Sequence, residues 1–284
     1  MKKMLNKLAG FVMAGLILFT AAACAPDQGQ IIGTDKAGGG NLAGKIIASG
    51  STSMEDMMLA LGESFMTVNP GVKVEIQGGG SGAGVKNASE GVTDIGNASR
   101  ALKDEEKNLG LQDTIVAVDG IAIVINPANK VAGLTSRQIA DIYTGKTTNW
   151  KDVGGDDQPI VAIMRESGSG TRDGFEEILD IKDATVGTEE VSETGIVKSK
   201  VAGNVNAIGY MSLGKVDETV KSVTVDGVQA SDAAVKDGTY ALQRPFLCLT
   251  KKGEASDLTL AFLEFILSPA GQEIVATQGY VKVG

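Results

Sequence analysis

Short apolar stretches alternate with amphipathic ones along most of the chain, and small residues join each to the next. Lys45–Ala48 predicts a strand that ends at Gly50-Ser51-Thr52-Ser53. Apolar residues then fall at Met54, Met57, Met58, Leu61 and Phe65, the spacing of one helical face. Ser53, with Asp56 three residues on, resembles a capping box for that helix. Asn69-Pro70-Gly71 turns the chain into Val72–Gln77, where Val72, Val74 and Ile76 alternate with polar residues as a half-buried strand requires. A second small-residue loop, Gly78–Gly84, precedes a short helix and a strand over Thr93–Ser99. Ile115–Val118 and Ile121–Ile125 form a β-rich run that Asn126-Pro127 ends, and Leu134–Tyr143 predicts a helix capped by Thr135 or Ser136. The strand Pro159–Met164 runs into Arg165–Arg172, where Phe175, Ile178 and Leu179 mark another helix. Ala207–Met211, Ser222–Val228 and Tyr240–Thr250 read as strands, and helices Leu258–Leu267 and Ala270–Thr277 close the chain. No internal repeat is visible. This strand–loop–helix succession is α/β grammar. The 121–126 and 240–250 segments read as long buried strands, so the chain is expected to cross twice between two lobes, with a ligand cleft between them.

The N-terminus has a different grammar. Lys2, Lys3 and Lys7 precede the apolar run Leu8–Phe19, and Thr20–Ala23 lead to Cys24. The run is too short to span a bilayer and suits a secretory signal peptide over residues 1–23. Cys24 after three alanines resembles the lipobox of bacterial lipoproteins, which implies a lipidated, palmitate-bearing N-terminal cysteine. Residues 24–43 contain Pro26 and several glycines with little periodicity, and they read as a flexible tether. Cys248, in an apolar run, is then left without an intramolecular partner and reads as a buried, inert thiol.

Composition narrows the chemistry. None of the 284 residues is His, which removes Ser-His-Asp and Cys-His catalysis and His-ligated metals. The formal charge of −9 moves to −12 once the signal peptide takes three lysines and no acid, so nucleic acid is an unsuitable partner. The 38 glycines are about double the usual share, so backbone can approach a ligand closely at many positions. With 12 aromatics in all, a cage for sugars or quaternary amines is disfavoured.

The loops at 50–53, 78–84 and 168–171 each follow a strand, are rich in Ser, Thr and Gly, and precede a helix. Helix N-termini offer unpaired N–H groups and partial positive charge, which suits an anion. Gly79–Gly84 has the outline of a P-loop but Val85 where its lysine belongs, and neither Ser81 nor Ser169 sits in a G-x-S-x-G elbow. Arg165 heads the third loop. Arg100 and Arg172 are further candidates for charge at the cleft rim but read rather as residues of solvated faces, and Trp150 and Tyr143 as packing aromatics.

Gly50–Ser53, Ser81–Lys86, Thr93–Arg100, Arg165–Thr171, the Ile139…Tyr143…Gly145…Trp150 frame and Ile208-Gly209-Tyr210 occur in an order similar to the phosphate-binding subunit of bacterial phosphate ABC transporters. The resemblance covers residues 44–284. It implies a periplasmic-binding-protein fold of type II, with lobe 1 at 44–120 plus 245–284 and lobe 2 at 121–244. It also implies a monomer, lipid-anchored outside the cell membrane, that passes inorganic phosphate to a permease with its ATPase. Matched position by position, Ser51, Thr52, Ser53, Ser81, Asp94, Arg165, Ser169, Gly170 and Thr171 would hold the anion, with no cofactor, metal or catalytic residue. Where some relatives carry an acid two places after the arginine this chain has Ser167, so Glu166 is a candidate to orient Arg165. Asp94 would accept the phosphate O–H and repel sulfate, which has no proton to offer. The same fold around another oxyanion or a small carboxylate, a hydrolase using Ser81 or Ser169, and a purely structural lipoprotein are the alternatives.

Overall fold

The computed structural model describes residues 42–283; the signal peptide, Cys24 and nearly all of the tether lie outside the described residues. In chain order the elements are β1 (Ala43–Gly50), α1 (Glu55–Val68), β2 (Gly71–Gln77), α2 (Ser81–Ser89), β3 (Ile95–Ala98) and β4 (Leu111–Ile125). Next come β5 (Gly133–Leu134), α3 (Ser136–Tyr143), β6 (Val161–Arg165), α4 (Gly170–Ile178), β7 (Glu189–Val191), α5 (Thr194–Ala202) and β8 (Ala207–Ser212). The chain ends with β9 (Lys221–Ser222), β10 (Thr224–Val225), α6 (Asp232–Lys236), β11 (Gln243–Lys251), α7 (Asp257–Leu267) and α8 (Pro269–Thr277).

One mixed sheet runs in the order β2-β1-β3-β11-β4-β8-β6-β7. β1 is parallel to β2 and β3, with Ile46 opposite Val74 and Ser49 opposite Gly96. β4 is the strand that joins the two ends of this sheet. Its first part, Leu111–Gly120, pairs antiparallel with β11, and Ile121–Ile125 pairs antiparallel with β8. The sequence pattern divided this stretch at Asp119-Gly120, but the backbone continues through it as one strand.

Two large hydrophobic cores lie along this sheet, with a smaller cluster of Val85, Ala88, Ala98, Leu247 and Leu249 under α2. The fully buried residues of one large core all lie between Ile121 and Leu242, with Val118 and Val281 packed on its edge; the other gathers Ile46 to Ala117 with Phe246 to Tyr280. The cores change over at the same two places in the chain, where β4 and β11 carry charged or small residues in place of apolar ones. Met54, Met57 and Met58 are fully buried in the second of these cores, as their helical spacing requires. Phe65 of α1 packs on Phe262 of α7 with ring centroids 5.1 Å apart. In the other core Phe175 stacks on Tyr210 at 4.1 Å, and Tyr143 meets both edge-on. Trp150 is buried and donates to the Asn206 carbonyl at 2.9 Å, so it is a packing residue as its setting suggested. Cys248 lies in β11 out of contact with water, and burial pushes its thiol up to about 12.

Caps set the helix ends. Thr135 and Gln138 form a reciprocal capping box on α3. The box expected from Ser53 and Asp56 does not form: α1 opens after Met54 without a side-chain cap, because the Ser53 hydroxyl is turned to partners from the other core. Phe262→Ala, which empties a fully buried ring site, should cost about 3–5 kcal/mol of unfolding free energy in urea titration, whereas Leu59→Ala on the outer face of α1 should cost under about 0.5 kcal/mol.

Candidate functional site

Four helices begin beside one another: α1 after Gly50–Ser53, α2 at Ser81, α4 at Gly170 and α5 at Thr194. Each follows the end of a strand, so unpaired amide N–H groups and the positive ends of helix dipoles converge. Glycine is required where the loops touch. A Cβ on Gly50, whose φ is +136°, would lie 2.2 Å from the Asn97 carbonyl oxygen, and one on Gly170 would lie 2.1 Å from Ser81 Oγ. The Gly82 amide donates to the Gly168 carbonyl at 3.0 Å, so the second and third loops are in direct contact.

Between the loops runs a string of hydroxyls with a buried guanidinium at each end. Arg165, at the end of β6, donates from Nη1 to Thr194 Oγ1 at 3.0 Å and from Nη2 to Thr52 Oγ1 at 3.2 Å. Thr194 Oγ1 lies 3.2 Å from Thr52 Oγ1 and 3.3 Å from Ser53 Oγ, and Ser53 Oγ lies 3.0 Å from Thr171 Oγ1. Arg244, at the start of β11, closes the string. Its Nη1 donates to Thr171 Oγ1 at 2.8 Å and Ser99 Oγ at 3.1 Å, and its Nη2 to Ser53 Oγ at 3.2 Å. Ser81 Oγ accepts the Ser99 amide at 3.0 Å. All these side chains are buried.

Each guanidinium has its own carboxylate. Glu166 takes Arg165 Nε at 2.8 Å and Nη2 at 2.9 Å, a forked pair made by the neighbouring residue, which supplies the partner that Ser167 cannot. Asp119 of β4 accepts Arg244 Nη2 at 2.8 Å and Nε at 3.1 Å through one oxygen, while its other oxygen accepts Ser212 Oγ and the Leu213 amide. Burial pushes the Asp119 carboxyl up and the Arg244 guanidinium down, and the attraction between them opposes both shifts. Tyr210 adds a further support, its hydroxyl accepting the Arg165 amide at 3.0 Å.

The structure therefore gathers Thr52, Ser53, Ser81, Arg165, Gly170 and Thr171, six of the positions picked out in the sequence. Ser51 is buried in the same loop, where its amide donates to the Asn97 carbonyl. Ser169 caps α4, its hydroxyl accepting the Arg172 amide at 3.3 Å. Asp94 is a correction. Its side chain is exposed before β3 and accepts the Ile47 amide at 2.8 Å, so it tethers the start of one strand to its neighbour, away from the hydroxyl string. Strand direction explains the error: the loops of the site follow the C-terminal ends of β1, β2 and β6, and Ser99 follows β3, whereas Asp94 precedes β3.

Arg100 is a second correction. It is 3% exposed, not solvated, and binds Glu106 through Nη1 and Nη2 while Nε reaches Asp173 of α4 at 2.7 Å. Arg172 is likewise largely covered and pairs with Glu176 at 2.7 Å. Arg100–Asp173 joins the two cores on one side of the site, and Lys215–Asp56 joins them on another. The sequence reading missed Ser99, Thr194, Asp119 and Arg244 as site residues. A signal for the last two existed: single charged residues interrupting two long apolar strands must be paired when buried. Thr194 has no glycine-rich loop to mark it.

A cavity of about 230 Å³ lined by Thr52, Glu55, Asp56, Thr194, Lys198 and Lys215 adjoins the string. A larger groove of about 690 Å³ lies between the 100–107 segment and α4, and has none of the hydroxyls in its walls. Among the described residues no group of three or more His, Cys, Asp or Glu side chains is arranged to hold a metal ion. The chemistry on offer is hydrogen-bond donation from hydroxyls, helix N-termini and two guanidiniums that are each paired with a carboxylate, which fits a small tetrahedral anion.

Comparison with known proteins agrees with this geometry. A PBP superfamily domain model matches residues 27–270. The phosphate-binding protein PstS of Bacillus subtilis (strain 168) is 36% identical over 292 residues, covering 100% of this chain and 95% of that protein. A Clostridium perfringens substrate-binding protein crystallised with bound phosphate superposes with a TM-score of 0.83 at 48% identity, covering 85% of this chain and 100% of that one. An ABC-type phosphate transport receptor from Vibrio cholerae gives a TM-score of 0.72 at 36% identity, covering 84% and 100%. The chain belongs to the PBP superfamily, in its family of PstS phosphate-binding proteins.

Proposed function

We propose that the protein captures inorganic phosphate outside the cytoplasm and delivers it to the permease of an ABC transporter. The observation that carries this reading is the string of buried hydroxyls between Arg165 and Arg244, set where four helices begin. A hydroxyl that accepts from a guanidinium can still donate its own O–H, and those now shared between hydroxyls would turn to the anion. Ser51, Thr52, Ser53, Ser81, Ser99, Arg165, Gly170, Thr171, Thr194 and Arg244 are the proposed ligand shell. Two lobes, 44–120 with 245–284 and 121–244, would open and close about β4 and β11 as the anion leaves and enters. The separate hydrophobic cores support that division.

The N-terminal segment suits secretion and lipid attachment at Cys24, which would tether a monomeric receptor beside its permease. A binding role, not catalysis, is supported by the partners of the two candidate nucleophiles. Ser81 Oγ meets only the hydroxyl and amide of Ser99, and Ser169 Oγ accepts an amide, so neither faces a general base among the described residues.

Isothermal titration of the protein freed of bound anion tests the reading. Arg165→Gln should weaken phosphate binding about 10–100-fold, the value of a charged hydrogen bond, while Asp94→Asn should stay within about twofold of the unaltered protein. Absence of measurable phosphate binding, or a large loss in Asp94→Asn, would count against the proposal. Thermal melting gives an independent check. Phosphate at about 100 times its Kd should stabilise the native state by about 2.7 kcal/mol, a rise of several degrees in Tm.

A further inference from the structure

Residues 100–107 lead from β3 toward β4, and six of these eight are charged: Arg100, Lys103, Asp104, Glu105, Glu106 and Lys107. The segment turns without forming a helix or a strand, and side-chain bonds fix it. Arg100 is its anchor. Nη1 and Nη2 donate to the two oxygens of Glu106 at 2.6 and 2.8 Å, and Nη1 also donates to the Ala101 carbonyl at 2.9 Å. Glu106 accepts the Lys103 amide as well, at 2.8 Å, which closes the segment around the guanidinium. All of these bonds stay within one of the two proposed lobes. The Nε contact does not. It crosses to Asp173 in the first turn of α4 at 2.7 Å, and Lys103 Nζ reaches the same carboxylate oxygen at 3.0 Å.

This division makes a socket and a plug. Arg100 is buried, and the fork from Glu106 compensates its charge wherever α4 lies. Asp173 by contrast would exchange two cations for water if the lobes parted. Asp173 follows Thr171 by two residues on α4, while Arg100 follows Ser99 directly, and both of those hydroxyls accept from Arg244 Nη1. Joining Arg100 to Asp173 therefore draws the two walls of the hydroxyl string together from outside it. Neither side chain belongs to the proposed ligand shell; both line the groove of about 690 Å³ between this segment and α4.

Charges farther along that groove match across it. The Lys107 ammonium beside Asp104 holds its carboxyl below the usual carboxylate range, and Lys182, just beyond α4, adds to the effect. Asp104 in turn raises the Lys107 ammonium, and Glu177 of α4 acts in the same sense. Lys215–Asp56, which also links the cores, is a lesser contact: its carboxylate side chain is 62% exposed, and water takes up most of the value of such a pair.

We propose that Arg100, seated by Glu106, and Asp173 form a latch between the lobes that favours their closed arrangement and slows loss of the bound anion without touching it. The inference rests on the two-lobe phosphate reading above. A contact made only when the lobes are closed shifts the balance of open and closed forms by its own free energy, and a ligand held between lobes escapes through the open form. Arg100 and Asp173 are positioning residues in this sense, acting on the ligand through the end of β3 and the start of α4. Two largely covered cations on one carboxylate, exchanged for water on opening, correspond to a shift of about 3–10-fold.

The test is release of radiolabelled phosphate chased with excess unlabelled phosphate, which gives the dissociation rate, together with equilibrium dialysis for Kd. Asp173→Asn keeps the size of the side chain and removes its charge. Its dissociation rate should rise about 3–10-fold and its Kd in proportion, so that the association rate derived from the two stays within about twofold. Asp173→Glu, which restores the charge one methylene farther out, should recover part of the loss. Asp156→Asn removes the exposed Lys130–Asp156 pair inside one lobe and should leave both constants as they are in the unaltered protein. An unchanged dissociation rate in Asp173→Asn overturns the proposal. So does a rise no greater than that of Asp156→Asn, or a weaker Kd that comes wholly from slower association. If Asp173→Asn fails to fold, Lys103→Gln carries the test, since its side chain is 34% exposed. Its dissociation rate should rise about twofold, and no change would count against the latch. Failure of the unaltered protein to bind phosphate would instead remove the phosphate reading. The latch is then decided by small-angle scattering of the anion-free protein, where Asp173→Asn should have the larger radius of gyration and equal radii overturn it.

Discussion

A guanidinium that is 3% exposed keeps its charge only if its surroundings pay for the lost water, and Arg244 has one carboxylate, three hydroxyls and an aromatic face to do so. Asp119 and Arg244 face each other across β4 and β11 in register, at the place where β4 and the segment entering β11 pass between the cores. Hydrophobic packing stops at these residues and resumes on either side as two separate clusters. The same ion pair thus marks where one core ends, aligns the crossing strands and presents a fork of donors to hydroxyls from both sides. Removing one partner would leave a buried charge uncompensated, which links the architecture to the site through a single contact.

The site also has to work against the rest of the molecule. With 35 acidic and 26 basic residues, the chain's overall field repels the anion it is proposed to take. Screening confines that repulsion to about 8 Å at physiological ionic strength, and a buried site is governed by what touches the ligand. Helix N-termini, hydroxyls and two guanidiniums are what the proposed site offers. Each arginine is neutralised by its own carboxylate, so charge is oriented without a large local excess. This arrangement favours directional hydrogen bonds over bulk attraction.

Several elements were legible because local rules decide them. The methionine helix, the alternating β2, the Thr135 cap and the inert Cys248 follow from spacing and polarity. The three small-residue loops were visible for the same reason, since glycine and serine before a helical pattern signal a chain that turns sharply and caps. Thr194 escaped because α5 follows a three-residue strand of mixed polarity. Arg100 was misjudged because a lone arginine after a strand is usually solvated. Its burial comes from Glu106 and Asp173, the latter 73 residues away in sequence. Ser53 shows both sides: its position at a helix start is local, while its hydroxyl bonds are long-range and displace the expected cap.

The sequence by itself determined the α/β grammar, the two long crossing strands, the donor-rich loops and the family to which they belong. Those features depend on residues near one another in the chain, where periodicity, turn chemistry and motif spacing are read directly. Only the tertiary structure decided which charges enter the site. Asp94 and Arg244 look alike in the sequence as isolated charges next to apolar residues, yet one lies at the solvent end of its strand and the other at the strand crossing. Charge burial depends on what packs against a residue from distant elements, and no local pattern carries that information.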